Sequence, residues 1–262
     1  MENFAKLLTS IAALIAAIAW PMAAFLIAYI FRAELRSTLT KVPALLERIK
    51  KASLPGGIAL ELDRVADAEA QSGAAKSGNI TPRQIEAATR IASQTQEVGS
   101  QTLISELDRL CLEYDALRRT LPSGEERTRA MTRVIVKMRS LAPSLVDRLD
   151  TYKGSGSPGS RLAAIAMMQM VPLAADLNWL KDRFATEHPF LLYHSALALQ
   201  NVANVCDTPE KKKHLREVVQ QSLTTVKSFA GIPDPGTVQV LEMLLSSLQD
   251  RTNRRQSTSE GG

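Results

Sequence analysis

The stretch "RLAAIAMMQMVPLAA" (residues 161–175) decides the fold of this chain. From Leu162 to Ala175 its one strongly polar residue is Gln169, and Pro172 interrupts the run. These 14 residues are too few to cross a bilayer, which takes about 20. The run therefore predicts a buried helix, and with "FLLYHSALAL" (190–199) it should form the centre of the core.

Around this stretch, prolines mark where helices begin. Each follows a residue at a predicted helix start, in the pairs Ser157-Pro158, His188-Pro189, Thr208-Pro209 and Asp234-Pro235. Proline suits the first helical position, and Ser, Thr and Asp are good caps before it. The pattern predicts a compact helical module over 154–250, with helices at about 159–170, 173–186, 189–205, 209–230 and 235–250. Their short connections favour antiparallel neighbours.

A long-helix region is predicted over 82–153. Thr81 can cap a helix that begins at Pro82 and runs to about Arg119, and Gln84 completes a capping-box pattern. Its apolar stripe is Leu103, Ile104, Leu107, Leu110, Cys111, Tyr114 and Leu117. This stripe predicts packing on the chain's own later helices, or a coiled-coil contact with a second copy in a homo-oligomer. A further helix is predicted over about 125–141.

Three basic residues four apart form a row on this further helix: Arg129, Arg133 and Lys137. The row is either a solvated face or a surface that binds acidic lipid, RNA or an acidic partner, and we take these three as candidates for a partner surface. Before the long-helix region, 52–81 predicts a turn, a short strand at "GIALEL" (57–62) and a flexible linker at 66–81.

The N-terminal part predicts a membrane anchor. After a short tail (1–6), residues 7–31 contain no charge, which is enough for one transmembrane helix. A secretory signal peptide is the alternative, but its apolar region is shorter, at about 7–15 residues. One Lys or Arg precedes the span and six follow within 32–51, so the positive-inside rule predicts a single-pass protein of the cell (inner) membrane. Its N-terminus would lie outside and its C-terminal domain in the cytoplasm.

Basic charge is concentrated next to this span. A basic amphipathic juxtamembrane helix is predicted over 32–51, and its candidates for binding anionic lipid headgroups are Arg32, Arg36, Lys41, Arg48, Lys50 and Lys51. Residues 52–250 carry 22 basic and 23 acidic residues, which disfavours nucleic acid as a partner. Residues 251–262 are predicted to be a disordered basic tail.

Little in the sequence points to catalysis. Gly154, Gly156 and Gly159 match G-x-G-x-x-G, but the motif binds dinucleotides only after a strand, and here helix is predicted on both sides. We interpret it as a linker joined to a helix cap, marking the boundary before the compact module. Cys111 and Cys206 predict two buried, reduced thiols, and the three histidines lack metal-ligand spacing. We expect no enzyme activity, no cofactor and no metal.

Part of the chain resembles a helical module of uncharacterised bacterial proteins that looks like HEAT-type helix pairs. The matching residues are Arg161, Leu162, Ala164, Ile165, Pro172, Phe190, Tyr193, His194 and Leu197. The opening of the chain also resembles a common bacterial anchor layout. These resemblances imply a bacterial, membrane-anchored protein, and in some bacterial conflict or signalling proteins such modules accompany effector domains.

The sequence as a whole predicts an all-α protein: a transmembrane helix followed by a cytoplasmic antiparallel helical bundle. The expected function is that of a membrane-anchored scaffold that holds a cytoplasmic protein partner. The alternative is a membrane effector of a bacterial defence system that acts by oligomerisation of its span, suggested by the small-residue face at 12–19 and by Pro21.

Overall fold

Residues 162–169 and most of 190–199 lie at the centre of the core, as predicted. The end of the first run does not, because residues 170–175 are at most partly buried and Leu173 is 81% exposed. The computed structural model describes residues 56–71, 80–230 and 233–259, and side-chain positions are described for all of these except 56, 95–98 and 250–259. The regular structure within them is helical. Every described residue belongs to one compact unit.

The α-helices are α1 (Gly56–Gln71), α2 (Pro82–Val98), α3 (Ser100–Thr120), α4 (Glu125–Leu141), α5 (Leu149–Lys153), α6 (Pro158–Met170), α7 (Leu177–Thr186), α8 (Pro189–Val205), α9 (Pro209–Lys227) and α10 (Pro235–Ser259). Short 3-10 helices occupy Ala142–Arg148 and Pro172–Ala174.

Three helices form the spine of the unit. α6 is buried at every position from Leu162 to Gln169, and it packs against α3, α4, α5 and α8. α4 also packs against α1, α2 and α3, and α8 also packs against α7 and α10. One continuous hydrophobic core runs from Ile58 on α1 to Leu248 on α10. The boundary predicted at Gly154–Ser157 is therefore not a break in the core, because helices on both sides of it contribute to the same cluster.

Helix caps follow the predicted pattern closely. Ser157 accepts from the Ser160 amide, and Thr208 accepts from the Lys211 amide, each at 3.3 Å. Thr81 caps α2 by accepting from the Gln84 amide at 3.3 Å. The side chain of Gln84 does not return to the cap as a capping box requires. It is buried and accepts from Arg139 instead.

The predicted strand at 57–62 is wrong, because these residues begin α1. Ile58, Leu62 and Val65 are buried, at the spacing of one helix face, whereas Leu60 is exposed. The alternation of Ile58, Leu60 and Leu62 looks like a strand, but only Ile58 and Leu62 are buried, and with Val65 they follow the spacing of a helix. α1 continues to Gln71, so the predicted linker cannot begin at 66, and residues 72–79 lie outside the described part.

Two further boundaries differ. The single helix predicted from Pro82 to about Arg119 is two helices, α2 and α3, separated at Gly99. Gly99 has φ 81° and ψ 137°, a conformation that side chains with a Cβ rarely adopt. The tail predicted to be disordered is helical as far as Ser259, because α10 continues through residues that carry no proline or glycine before Gly261.

The apolar stripe of α3 packs on other helices of the same chain, which was the first of its two predicted contacts. Leu103, Leu107, Leu110, Cys111 and Tyr114 are buried in the common core, against α4 and α6. A second copy is not needed to cover them. The apolar side of α4, formed by Met131, Val134, Ile135 and Met138, is likewise buried.

Candidate functional site

A cleft of about 810 Å³ opens between the C-terminal part of α3 and the first turns of α4, α8 and α10. The polar residues that line it are Arg118, Ser123, Arg127, Thr128, Thr132, His188, Tyr193, His194, Asp234 and Gln239. The apolar part of its lining includes Met131, Phe190 and Val240. Its volume lies within the range of about 300–1,000 Å³ that is usual for small-molecule sites.

Two helices, α8 and α10, begin at the edge of this cleft. Pro189 and Pro235 fix the first helical positions of α8 and α10, directly after His188 and Asp234. Asp234 caps α10, where its Oδ2 accepts from the backbone amide of Thr237 at 2.8 Å and from the Thr237 hydroxyl at 2.6 Å. His188 gives α8 no side-chain cap. The Leu191 and Leu192 amides donate to the His188 carbonyl at 2.9 and 3.1 Å, so the start of α8 presents the Phe190 amide, with its partial positive charge, at the edge of the cleft.

Two arginines line the cleft without a carboxylate partner among the described residues. Arg118 donates to the Tyr114 hydroxyl at 3.5 Å, and its guanidinium lies 6.0 Å from the centroid of that ring. Arg127 donates to the Ser123 hydroxyl at 2.8 Å and to the Leu121 carbonyl at 3.4 Å. Because a guanidinium has five N–H donors, most of the donors of Arg118 and several of Arg127 have no hydrogen-bond partner among the described residues.

The charge of these arginines acts on His188. Burial lowers the pKa of His188, and the cations Arg118, Arg127 and Arg161 lower it further, against the opposing effect of Glu187. Glu187 is itself committed, since its side chain is 1% exposed and pairs with Arg161 and Arg183. The cleft edge therefore carries positive charge, with His188 neutral at pH 7.

A buried polar cluster lies behind the cleft and is joined to it by His194. Arg139 is 2% exposed. It donates to Gln169 Oε1 at 2.7 Å and to Gln84 Oε1 at 3.3 Å, and one of its nitrogens lies 3.3 Å from His194 Nδ1. Burial lowers the pKa of Arg139 to about 10, against the raising effect of Tyr193 and Glu69, so it is charged at pH 7.

This cluster fixes the state of His194. Arginine can only donate, so Nδ1 of His194 must accept, and the ring proton then lies on Nε2. Burial, followed by the charge of Arg139, lowers the pKa of His194 well below its usual value. The ring is also held between aromatic neighbours, with its centroid 4.5 Å from that of Phe190 and 5.5 Å from that of Tyr193. His194 is thus a neutral, oriented ring in the cleft wall.

The candidate nucleophiles are not placed for reaction. Ser195 is fully buried, and its hydroxyl has no hydrogen-bond partner within the described part of the chain. Burial raises the pKa of Cys111 to about 12, and burial also raises that of Cys206. Both thiols are free, but Cys206 is only half-buried, which differs from the prediction. Within 56–71, 80–230 and 233–259, no three His, Cys, Asp or Glu side chains are grouped as metal ligands would be.

The predicted basic row pairs with acidic residues of the same chain. Lys137 pairs with Asp63 on α1, and Arg133 pairs with Asp67 on α1 at 3.2 Å. Arg129 pairs with Glu125, one turn earlier on α4, at 3.0 Å. Two of the three cations therefore hold α1 against α4, and Lys137 is largely buried by that contact. The lipid candidates at 32–51 lie outside the described residues.

The glycine motif runs from the end of α5 into the first turn of α6, so a helix and not a strand precedes it. Asp115 on α3 accepts from the Ser157 hydroxyl at 2.5 Å and from the Gly159 amide at 2.9 Å. Arg161 donates to the Gly156 carbonyl at 2.7 Å. Asp176, which stands near the distance expected of a ribose-binding acid, caps α7 and pairs with Lys153 at 2.8 Å. These groups therefore have their hydrogen-bond and ion-pair partners within the chain.

Sequence reasoning missed the cleft. Its cations Arg118 and Arg127 are separated by a turn, and the other walls come from residues 60 to 120 positions further along the chain. His188-Pro189 and Asp234-Pro235 were recognised as helix starts, but nothing local shows that these starts meet. No local signal marks Arg118 as unpaired, because Asp115 stands three positions before it but accepts from Ser157 and Gly159 instead.

The described residues contain no helix long and apolar enough to span a membrane, and the predicted span at 7–31 lies outside them. The resemblance to HEAT-type helix pairs stays a prediction. No family model, no curated protein and no solved structure matches the chain.

Proposed function

We propose that this chain is a membrane-anchored helical binding protein, a scaffold that holds a partner at the cytoplasmic face of the cell membrane. The cleft between α3, α4, α8 and α10 is the observation that carries the binding part of this proposal. The uncharged run at 7–31 and the basic segment at 32–51 support the anchoring part. In this proposal the cleft is the surface that binds the partner, and the predicted span keeps that surface at the membrane.

Fractionation tests the anchor. The full-length chain should sediment with membranes, resist extraction by high salt and be released by detergent, and deletion of residues 7–31 should make it soluble. A full-length chain that stays in the soluble fraction without detergent would disprove the anchoring part and leave the cleft untouched.

Site-specific crosslinking tests the binding part. A photoreactive amino acid at Gln239, which is exposed and lines the cleft, should crosslink a discrete partner in native membranes. The matched control is Met243, one turn further along α10, which is 60% exposed and does not line the cleft. Equal products at both positions would show that the cleft is not the binding surface.

The second candidate is a membrane effector of a bacterial defence system. The small residues of 12–19 and Pro21 favour it, since small residues allow close helix–helix packing in a membrane. It predicts that expression with a trigger depolarises cells, and that replacing alanines in 12–19 by leucine removes this effect. Unchanged membrane potential in every operon context tested would exclude it.

A further inference from the structure

The charge balance of the cleft points to an anionic ligand. Among the described residues that line it, Asp234 is the single acid, and both of its recorded hydrogen bonds go to Thr237 on α10. Arg118 and Arg127 face the same cleft without a carboxylate, so the cations of the lining outnumber the acid. Unpaired arginines at a partly enclosed surface attract carboxylate and phosphate groups, whose oxygens match the guanidinium fork.

Other donors are present beside the arginines. Ser123 and Thr128 line the cleft with hydroxyls in and just before the first turn of α4. Thr128 donates its proton to the Gly124 carbonyl at 3.1 Å, so the Ser123 hydroxyl is the one that can donate to a ligand. At the start of α8, Pro189 has no amide and the Leu191 and Leu192 amides donate to the His188 carbonyl, so the helix end offers the Phe190 amide and its partial positive charge. The Ser123 hydroxyl and the Phe190 amide thus add two donors to those of the arginines.

The rest of the lining is apolar and aromatic. Phe190 and Tyr193 present ring surface, with Met131 and Val240 beside them. Phe190 is held in place by Tyr114 at a ring-centroid distance of 5.9 Å and by His194 at 4.5 Å. A preformed apolar wall next to cations suits a ligand that has a charged group and an apolar body.

We infer that the cleft binds a small organic anion, a carboxylate or phosphate group attached to an aromatic or apolar body, with Arg118 and Arg127 holding the anionic group. The inference goes beyond the proposed function, because the ligand that it names is a small molecule and not the partner held by the scaffold, and it does not depend on the membrane anchor. The cleft volume favours a small molecule over an extended acidic protein segment.

Calorimetry on the purified full-length chain in a non-ionic detergent tests this inference. The probes are phenyl phosphate and phenylacetate, with benzyl alcohol and benzylamine as neutral and cationic counterparts and inorganic phosphate as the anion without a body. The two aromatic anions should bind at least about 10-fold more tightly than the other three, since a charge-assisted hydrogen bond strengthens binding by about that factor or more. Their binding should weaken as salt is raised.

Variants then assign the arginines. Arg118→Gln and Arg127→Gln should each weaken binding of the aromatic anions by about 10-fold. Arg119→Gln is the matched control, because Arg119 is the next residue on α3, is exposed and does not line the cleft. Thr128→Asp places a negative charge at an exposed lining position without removing an arginine, and it should abolish anion binding while the chain stays folded.

Several results would overturn the inference. It fails if neither aromatic anion binds, if benzyl alcohol binds as tightly as they do, or if Thr128→Asp binds them like the unchanged chain. Binding of an octaglutamate peptide without binding of the small anions would replace the small molecule by an acidic protein segment. Failed membrane fractionation together with normal anion binding would overturn the anchor alone.

Discussion

Gly159 on α6 lies directly against the backbone of Cys111 on α3: a Cβ at Gly159 would stand 2.1 Å from the Cys111 carbonyl oxygen. No real Cβ approaches a backbone atom so closely, so the contact requires glycine. Of the three glycines in the G-x-G-x-x-G match, Gly156 has open space around it and Gly154 has ordinary contacts. The third glycine is thus a packing requirement of two helices, unrelated to phosphate binding.

Gly159→Ala should therefore destabilise the protein strongly. Overpacking typically costs about 1–3 kcal/mol, and here the obstacle is backbone, which cannot rotate away. Gly156→Ala, in the same motif, should change the free energy of unfolding by less than about 0.5 kcal/mol. Denaturant unfolding of both variants measures this, and equal stabilities would show that α3 and α6 are further apart.

Asp115 should control whether the glycine segment is protected. It holds the Ser157 hydroxyl and the Gly159 amide, so Asp115→Ala should expose the bonds at 154–157 to limited proteolysis while the unchanged chain resists cleavage there. Glu113→Ala is the control, because Glu113 pairs with Arg109 on its own helix. Cleavage at 154–157 in the unchanged chain would restore the interpretation of this segment as a loose linker.

The Asp63–Lys137 ion pair should stabilise the docking of α1. A double-mutant cycle with Asp63→Asn and Lys137→Gln should give a coupling free energy of about 0.5–1 kcal/mol, limited by the partial exposure of Asp63. Hydrogen exchange in α1 should become faster in each single variant. The Glu125–Arg129 pair lies within one helix and is exposed, so the same cycle there should leave exchange in α1 unchanged. Unaltered exchange in Asp63→Asn would show that apolar contacts alone hold α1.

Stability should fall in acid because of His194. Its pKa is about 6.5 in the unfolded chain and is well below that in the folded protein. As the pH falls through 6.5, the unfolded chain gains a proton that the buried ring, held beside Arg139, does not accept, so the free energy of unfolding decreases. His188, whose pKa is also lowered, acts with the same sign.

The variant His194→Gln separates this contribution from the rest. Its amide oxygen can still accept from Arg139, but it does not titrate. Between about pH 7.5 and about pH 5, the unchanged chain should lose about 1–2 kcal/mol more than the variant, because one pKa unit corresponds to about 1.4 kcal/mol. Identical losses in both proteins would mean that His194 gains its proton without unfolding the chain.

The sequence predicted helices well where one local rule decides them. Pro158, Pro189, Pro209 and Pro235 each begin a helix, since a ring-fixed φ and a missing amide suit the first turn. The burial of α6 followed from its composition alone. Local patterns were misleading at Ile58 and Leu62, because a short apolar alternation fits both strand and helix until the third buried position, Val65, is counted.

The candidate site depends on contacts that no local rule reports. Arg133 and Lys137 look like a free basic row until α1, some 70 positions earlier, supplies Asp67 and Asp63. Arg118 and Arg127 look no different in sequence, yet no carboxylate pairs with them within the described residues. Which arginines stay available is decided by tertiary packing, and the sequence could not distinguish the two pairs.

The docking of α1 determines where a shortened version of this protein can begin. A fragment that starts at Thr81, which caps the predicted long-helix region, would lack Ile58 and Leu62 from the core. It would also leave Lys137, whose side chain is 9% exposed, without the carboxylate of Asp63. Such a fragment should aggregate, whereas one that starts shortly before Gly56 keeps both. Crystallisation and calorimetry of the helical body alone should start from that longer fragment.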